Sequence, residues 1–184
     1  MIQQAKKENI TNLSLLILNA IGTIANTLTG ENERNKILET LDLYISMDIN
    51  RISYNNIYTY KIENELAGLI IAYNSNKIKE LDTPILNHLK SKNMFLKSFD
   101  KECFKDEFYI DTVSVFEKFQ GNGIAKELFI FIEKKAKDLG FKKISLLVDF
   151  ENQKALKLYE KIGFRKNSIL NVSKHNYHHM IKML

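Results

Sequence analysis

Between residues 108 and 164 the chain switches twice between two periodicities, and no other part of it restricts the fold so tightly. FYIDTVSVF (108–116) is rich in β-branched and aromatic residues and reads as a strand. Residues 122–139 then place apolar side chains at helical spacing until Gly140 stops them. Residues 143–150 form a second strand, residues 152–162 a second helix closed by Gly163, and strands follow near 164–172 and 175–184. Strand, helix, strand, helix in this order builds an α/β fold.

The chain ahead of this unit reads differently. Ile10, Leu13, Ile17, Ala20, Ile21, Ile24 and Leu28 step by three and four, which predicts one amphipathic helix over 10–28. Lys6 and Lys7 precede it as in a signal peptide, but Asn19, Thr23 and Asn26 interrupt the apolar run, which is too short for a membrane span. A second helix is expected over 33–48. A β-hairpin follows, with strands over 57–62 and 66–73 joined at Glu63-Asn64-Glu65. Residues 74–105 carry the only proline, Pro84, and a helix is expected there from 85 to 99. No repeat and no Pro/Gly/Ser linker divides the 184 residues, so one domain over 1–184 is expected. With a single cysteine, Cys103, no internal disulfide can form, which fits a reducing, cytoplasmic setting.

Net charge is +5, yet residues 1–100 carry 11 basic and 11 acidic side chains while the remainder carries 16 and 11. The excess therefore lies in the second part, where it would attract anions of several kinds. No aromatic-and-basic recognition motif supports a nucleic-acid partner.

The junction KFQGNGIAKEL (118–128) gives the anion a location. Gly121 and Gly123 permit positive φ and close approach to the main chain, while Asn122, Gly123, Ile124 and Ala125 offer N–H groups at a helix start. Aligned amide dipoles there suit a phosphate or pyrophosphate. The same two glycines also suit a strand-to-helix turn that binds nothing. A P-loop is absent, and the GxGxxG of a dinucleotide site has Lys126 in its third glycine position, although Asp149 stands where a ribose-binding acid would.

Gln120 to Ala125 has the form QxxGxA. With YIDTVSVF before it and NQKALKLYEKIGF after it, the chain resembles the GNAT superfamily of acyl-CoA-dependent N-acyltransferases. The resemblance implies a mixed, largely antiparallel sheet of six or seven strands flanked by helices on both faces, with the acetyl-CoA-binding core over about 106–165. It implies acetyl-CoA as co-substrate, held by the backbone of Gln120, Gly121, Asn122, Gly123, Ile124 and Ala125, with Gln120 adding a side-chain contact. The main chain of Val113, Ser114 and Val115 would pair with the pantetheine arm as an added strand. Asn152, Ala155 and Tyr159 share one side of the second helix, about 10 Å of axis at 1.5 Å per residue. The resemblance puts Asn152 against coenzyme A and Tyr159 beside the thioester sulfur.

Acyl transfer to nitrogen needs a neutral amine, an oxyanion donor and a proton for the departing thiolate. A backbone N–H of residues 113–115 would serve as the donor and Tyr159 as the acid. An alkylamine near pKa 10 is about a thousandfold depleted in its neutral form at pH 7, so a base is required. Asp111 is the candidate, with Glu107 or a chain of waters as alternatives. The acceptor, a small-molecule amine or a protein amine, is not legible, and the rival class is an acyl-CoA-binding module without turnover. No metal is expected. His175, His178 and His179 lie on a predicted strand, where His178 faces away from the other two, and read as surface residues. No membrane partner is expected, and a homodimer is left open.

Overall fold

The computed structural model describes residues 1–8 and 10–184. Along the chain run β1 (Ile2–Gln4), α1 (Leu13–Ile21), α2 (Ile24–Thr29), α3 (Arg34–Ser46), β2 (Ile57–Ile62), β3 (Glu65–Asn74), α4 (Ile78–Ser91), β4 (Phe108–Val115), α5 (Ile124–Asp138), β5 (Lys143–Asp149), α6 (Gln153–Lys161), β6 (Arg165–Val172) and β7 (His175–Met183). The strands build one seven-stranded sheet in the order β1-β2-β3-β4-β5-β7-β6. Every adjacent pair is antiparallel except β4 and β5, which α5 joins as a crossover.

Strand alternation divides the core in two. Leu69, Ile71 and Tyr73 of β3 and Tyr109 of β4 face Leu16, Ile17, Leu41, Tyr44 and Ile45 on one side of the sheet. Ile70, Ala72, Ile110, Ile144, Leu146 and Met180 face Leu128, Phe129 and Ile132 of α5 and Leu156 of α6 on the other. Helices thus cover both faces, as the resemblance implies.

Two hairpin turns use non-glycine residues at positive φ: Glu63 and Asn64 between β2 and β3, and Ser173 and Lys174 between β6 and β7. Both central residues of each turn are left-handed, the geometry that matches strand twist in a two-residue hairpin.

Three expectations need correction. The helix over 10–28 is two helices, because Gly22, at φ 53 and ψ −126, closes its N–H on Leu18 and turns the chain before α2. The apolar period continues across Gly22, so periodicity alone does not show the break. The helix expected over 85–99 is α4, with Pro84 inside it; there proline cannot donate to the Glu80 carbonyl. The histidines are not all on the surface, since His179 is fully buried, with Nε2 3.0 Å from Glu107 Oε2. His178 stacks on Phe150 at 4.0 Å. Among the described residues no group of His, Cys, Asp and Glu is arranged to hold a metal, and no helix is long and apolar enough to cross a membrane.

β1 was not foreseen: it is three residues long and forms by adding Ile2, Gln3 and Gln4 to the edge of β2.

Candidate functional site: a splayed sheet and an open helix start

The register of β4 contains the first element of the site. Phe108, Tyr109 and Ile110 face Ile144, Ser145 and Leu146 of β5, and the pairing ends there. β4 continues to Val115 against β3 alone, and β5 continues to Asp149 against β7 alone. Past Ile110 the two strands diverge. The edge of β4 that carries Val113, Ser114 and Val115, all half-buried, is left without a strand partner on that side.

The second element is the start of α5. Gly121 and Gly123 adopt φ 82 and 77. The N–H groups of Gly121, Asn122, Gly123, Ile124, Ala125 and Lys126 meet no acceptor among the described residues. Six consecutive donors are therefore free just past the end of β4, with the positive end of the α5 dipole behind them. A Cβ built on either glycine meets nothing within 4 Å. Gln120 does not reach outward: its Nε2 donates to the Val115 carbonyl at 3.1 Å and braces the loop on the end of β4.

α6 is the third element. Asn152 is exposed and caps the helix, its Oδ1 accepting from the Ala155 N–H at 3.0 Å. Ala155 and Tyr159 pack on the α5 side of the core. The Tyr159 ring meets Phe129 edge-on at 5.5 Å, and burial pushes its hydroxyl up to about 12. That hydroxyl has no hydrogen-bond partner among the described residues.

Asp111, hydrogen-bonded to Tyr73, lies on the opposite face, so the structure does not gather it into one cluster with Tyr159. Ile71 pairs with Thr112 while Ala72 pairs with Ile110, which makes Asp111 the extra residue of a β-bulge. It is half-buried. Its Oδ2 accepts from the Tyr73 hydroxyl at 2.6 Å and its Oδ1 from the Thr112 hydroxyl at 2.9 Å. Burial and then the Glu102 charge raise its pKa, opposed by Arg51 and by the two hydroxyls. Glu107, the alternative base, is 1% exposed and engaged by His179, Ser145 Oγ at 2.7 Å and the Phe104 N–H at 2.9 Å. Burial alone would raise its pKa; those hydrogen bonds outweigh burial and lower it, so Glu107 ties β4, β5 and β7 together.

Around Asp111 is a polar network that sequence reasoning missed. Arg51, 5% exposed, binds Asp82 through Nε and Nη2 and Glu102 Oε1 through Nη1 at 2.6 Å. Tyr109 donates to Glu102 Oε2 at 3.0 Å. Burial works against the Arg51 charge, but Glu102 and Asp82 hold its pKa well above the usual value. The partners are 31 and 51 residues apart, and no local pattern links them. The one available signal was Tyr109, two residues before Asp111 on the same strand.

The sequence profile described as the Acetyltransferase (GNAT) family matches residues 35–164. An uncharacterized N-acetyltransferase of Bacillus subtilis (strain 168) is 33% identical over 66 residues, a match spanning 36% of this chain and 42% of that protein. A crystal structure described only as an acetyltransferase superposes with TM-score 0.82 at 29% identity, covering 100% of this chain and 98% of the other. An N-acetyltransferase from Staphylococcus aureus Mu50 superposes with TM-score 0.82 at 28% identity, covering 98% and 99%. A mixed seven-stranded sheet that opens beside an unpaired helix start, and a family match over more than half the sequence, lead to one conclusion: the chain belongs to the GNAT family of acetyltransferases.

Proposed function

We propose that this chain transfers the acetyl group of acetyl-CoA to a primary amine, carried by a small molecule or a protein, by direct attack within a ternary complex. The observation that carries the reading is the run of six unpaired N–H groups, Gly121 to Lys126, at the mouth of a split sheet. A diphosphate presents several anionic oxygens to such donors, and a helix start binds anions without a side-chain cation. The free edge of Val113, Ser114 and Val115 lies beside it and suits an amide-bearing arm added as a strand. In this reading exposed Asn152 and the α6 face of Ala155 and Tyr159 would form the other wall.

In this reading Asp111 accepts the proton of the incoming amine, and a raised carboxyl pKa makes it a better base at neutral pH. The amine nitrogen attacks the thioester carbonyl, a β4 backbone N–H supports the oxyanion, and the carbon–sulfur bond breaks as the amide forms. Tyr159 donates a hydrogen bond to the departing sulfur. A phenol at about 12 is a weaker acid than a thiol, ordinarily about 8.5. Tyr159 therefore stabilises the thiolate, and the proton that finally reaches sulfur derives from the acceptor nitrogen.

Calorimetry with acetyl-CoA, followed by thiol release across a panel of amines, tests the proposal. Tyr159→Phe keeps the packing on Phe129 and Phe164, and is expected to lower turnover about tenfold to a thousandfold with the acetyl-CoA KM little changed. Binding without thiol release from any amine would leave an acyl-CoA-binding module. Absence of binding would end the proposal.

A further inference from the structure

We infer that Tyr73, with Thr112, is a positioning residue that fixes the Asp111 carboxylate at the β4 bulge and sets the pH range over which it works as a base. The inference rests on the proposed role of Asp111 and deepens it. A bulge projects its extra residue out of the ladder, which frees the side chain to swing unless something holds it. Here each carboxylate oxygen accepts one hydroxyl hydrogen, Oδ2 from Tyr73 and Oδ1 from Thr112, so the plane of the group is defined from two directions. Each oxygen keeps a second lone pair for an incoming proton.

Tyr73 is 3% exposed and Thr112 4%, whereas Asp111 is half-buried. The two hydroxyls are therefore placed to act on the carboxylate and not on a substrate. The Tyr73 ring is itself held, edge-on to Tyr109 at 5.7 Å. Tyr109 in turn donates to Glu102, which pairs with Arg51. The charged and titratable groups around Asp111 are thus Tyr73 from β3, Tyr109 from β4, Glu102 and the buried Cys103 thiol from the segment before β4, Arg51 from the loop after α3 and Asp82 from α4 beyond Arg51.

Both hydroxyl hydrogen bonds favour the ionised carboxylate, against burial and against Glu102. Removing the Tyr73 donor leaves the opposing influences in place, so Asp111 should hold its proton to higher pH. A hydrogen bond to a charged group corresponds to about one to two pH units.

The chain has eight aspartates, so carbon-13 labelling of aspartate carboxyls gives a tractable spectrum, and the Asp111 signal is the one absent from Asp111→Asn. Tyr73→Phe retains the ring and its contact with Tyr109. In it the Asp111 midpoint should rise by about one to two units, and the acidic limb of thiol release with the fastest amine of the panel should move by the same amount. Turnover should return above that limb. Thr112→Val should shift the midpoint in the same direction, and Thr112→Ser should restore it. An Asp111 midpoint unmoved in Tyr73→Phe, or a loss of turnover equal at every pH, would overturn the inference. Full turnover in Asp111→Asn would instead withdraw the base assignment, while the carboxyl titrations would still report the coupling.

Discussion

Adding a methyl group at Gly121 or Gly123 separates ligand binding from folding, because in the free protein that methyl would touch nothing. Both positions have positive φ, and a built Cβ finds no atom within 4 Å; Gly140, at the far end of α5 with φ 83, shares both properties. Alanine in the left-handed region costs about 1–2 kcal/mol, which in a chain of this length lowers Tm by roughly 2–8 °C. Gly121→Ala, Gly123→Ala and Gly140→Ala should therefore be destabilised to similar degrees. That strain is present with or without ligand and cancels in Kd. What remains is the obstruction of a diphosphate approaching the main chain, with loss of about one charge-assisted hydrogen bond, about 1.5–3 kcal/mol. The expected weakening is about tenfold to a hundredfold. Titration calorimetry with acetyl-CoA, beside thermal scans of each variant, reads both quantities. Equal Kd values in Gly123→Ala and Gly140→Ala, with equal losses of stability, would refute the placement of the diphosphate at this turn.

Arg51→Met strands the Asp82 and Glu102 carboxylates in a buried setting, and should cost about 3–5 kcal/mol. Thermal denaturation should show a Tm lower by roughly ten degrees, and the triple variant with Asp82→Asn and Glu102→Gln should recover most of it. Glu107 gives an acid dependence whose sign is fixed by its lowered pKa: its stabilisation is complete above the ordinary value of 4.5 and is lost as pH falls through the lower folded value. Urea unfolding followed across this range should therefore show Glu107→Gln less stable than the parent near neutrality and less sensitive to acid.

The second part of the fold was legible because its signals are local. Gly140 and Gly163 end α5 and α6 where expected, Asn152 caps α6, and β-branched runs mark β4 and β5. The glycine turn was legible for the same reason: two residues without a Cβ mark the backbone that must bend. Other features depend on partners that a linear pattern does not contain. β1 exists only because β2 offers an edge. The bulge at Asp111 is a mismatch in register between β3 and β4, a property of the pair and of neither strand alone. Arg51, Asp82 and Glu102 come from a loop, a helix and an irregular segment, and each taken alone looks like an ordinary surface charge. His179 looked like its neighbours in HNYHH until Glu107, 72 residues earlier, was found beneath it.

The short parallel junction has a mechanical consequence. Three register pairs hold β4 to β5, against seven between β3 and β4 and seven between β5 and β7, so the sheet is two stiff plates meeting at a narrow seam. A molecule lying in that seam, bonded to the β4 edge on one side and to α6 on the other, would act as a rivet between the plates. Amide protons on both sides of the seam would then slow their exchange together when it is seated, and a force pulling the plates apart would meet its first resistance in the ligand.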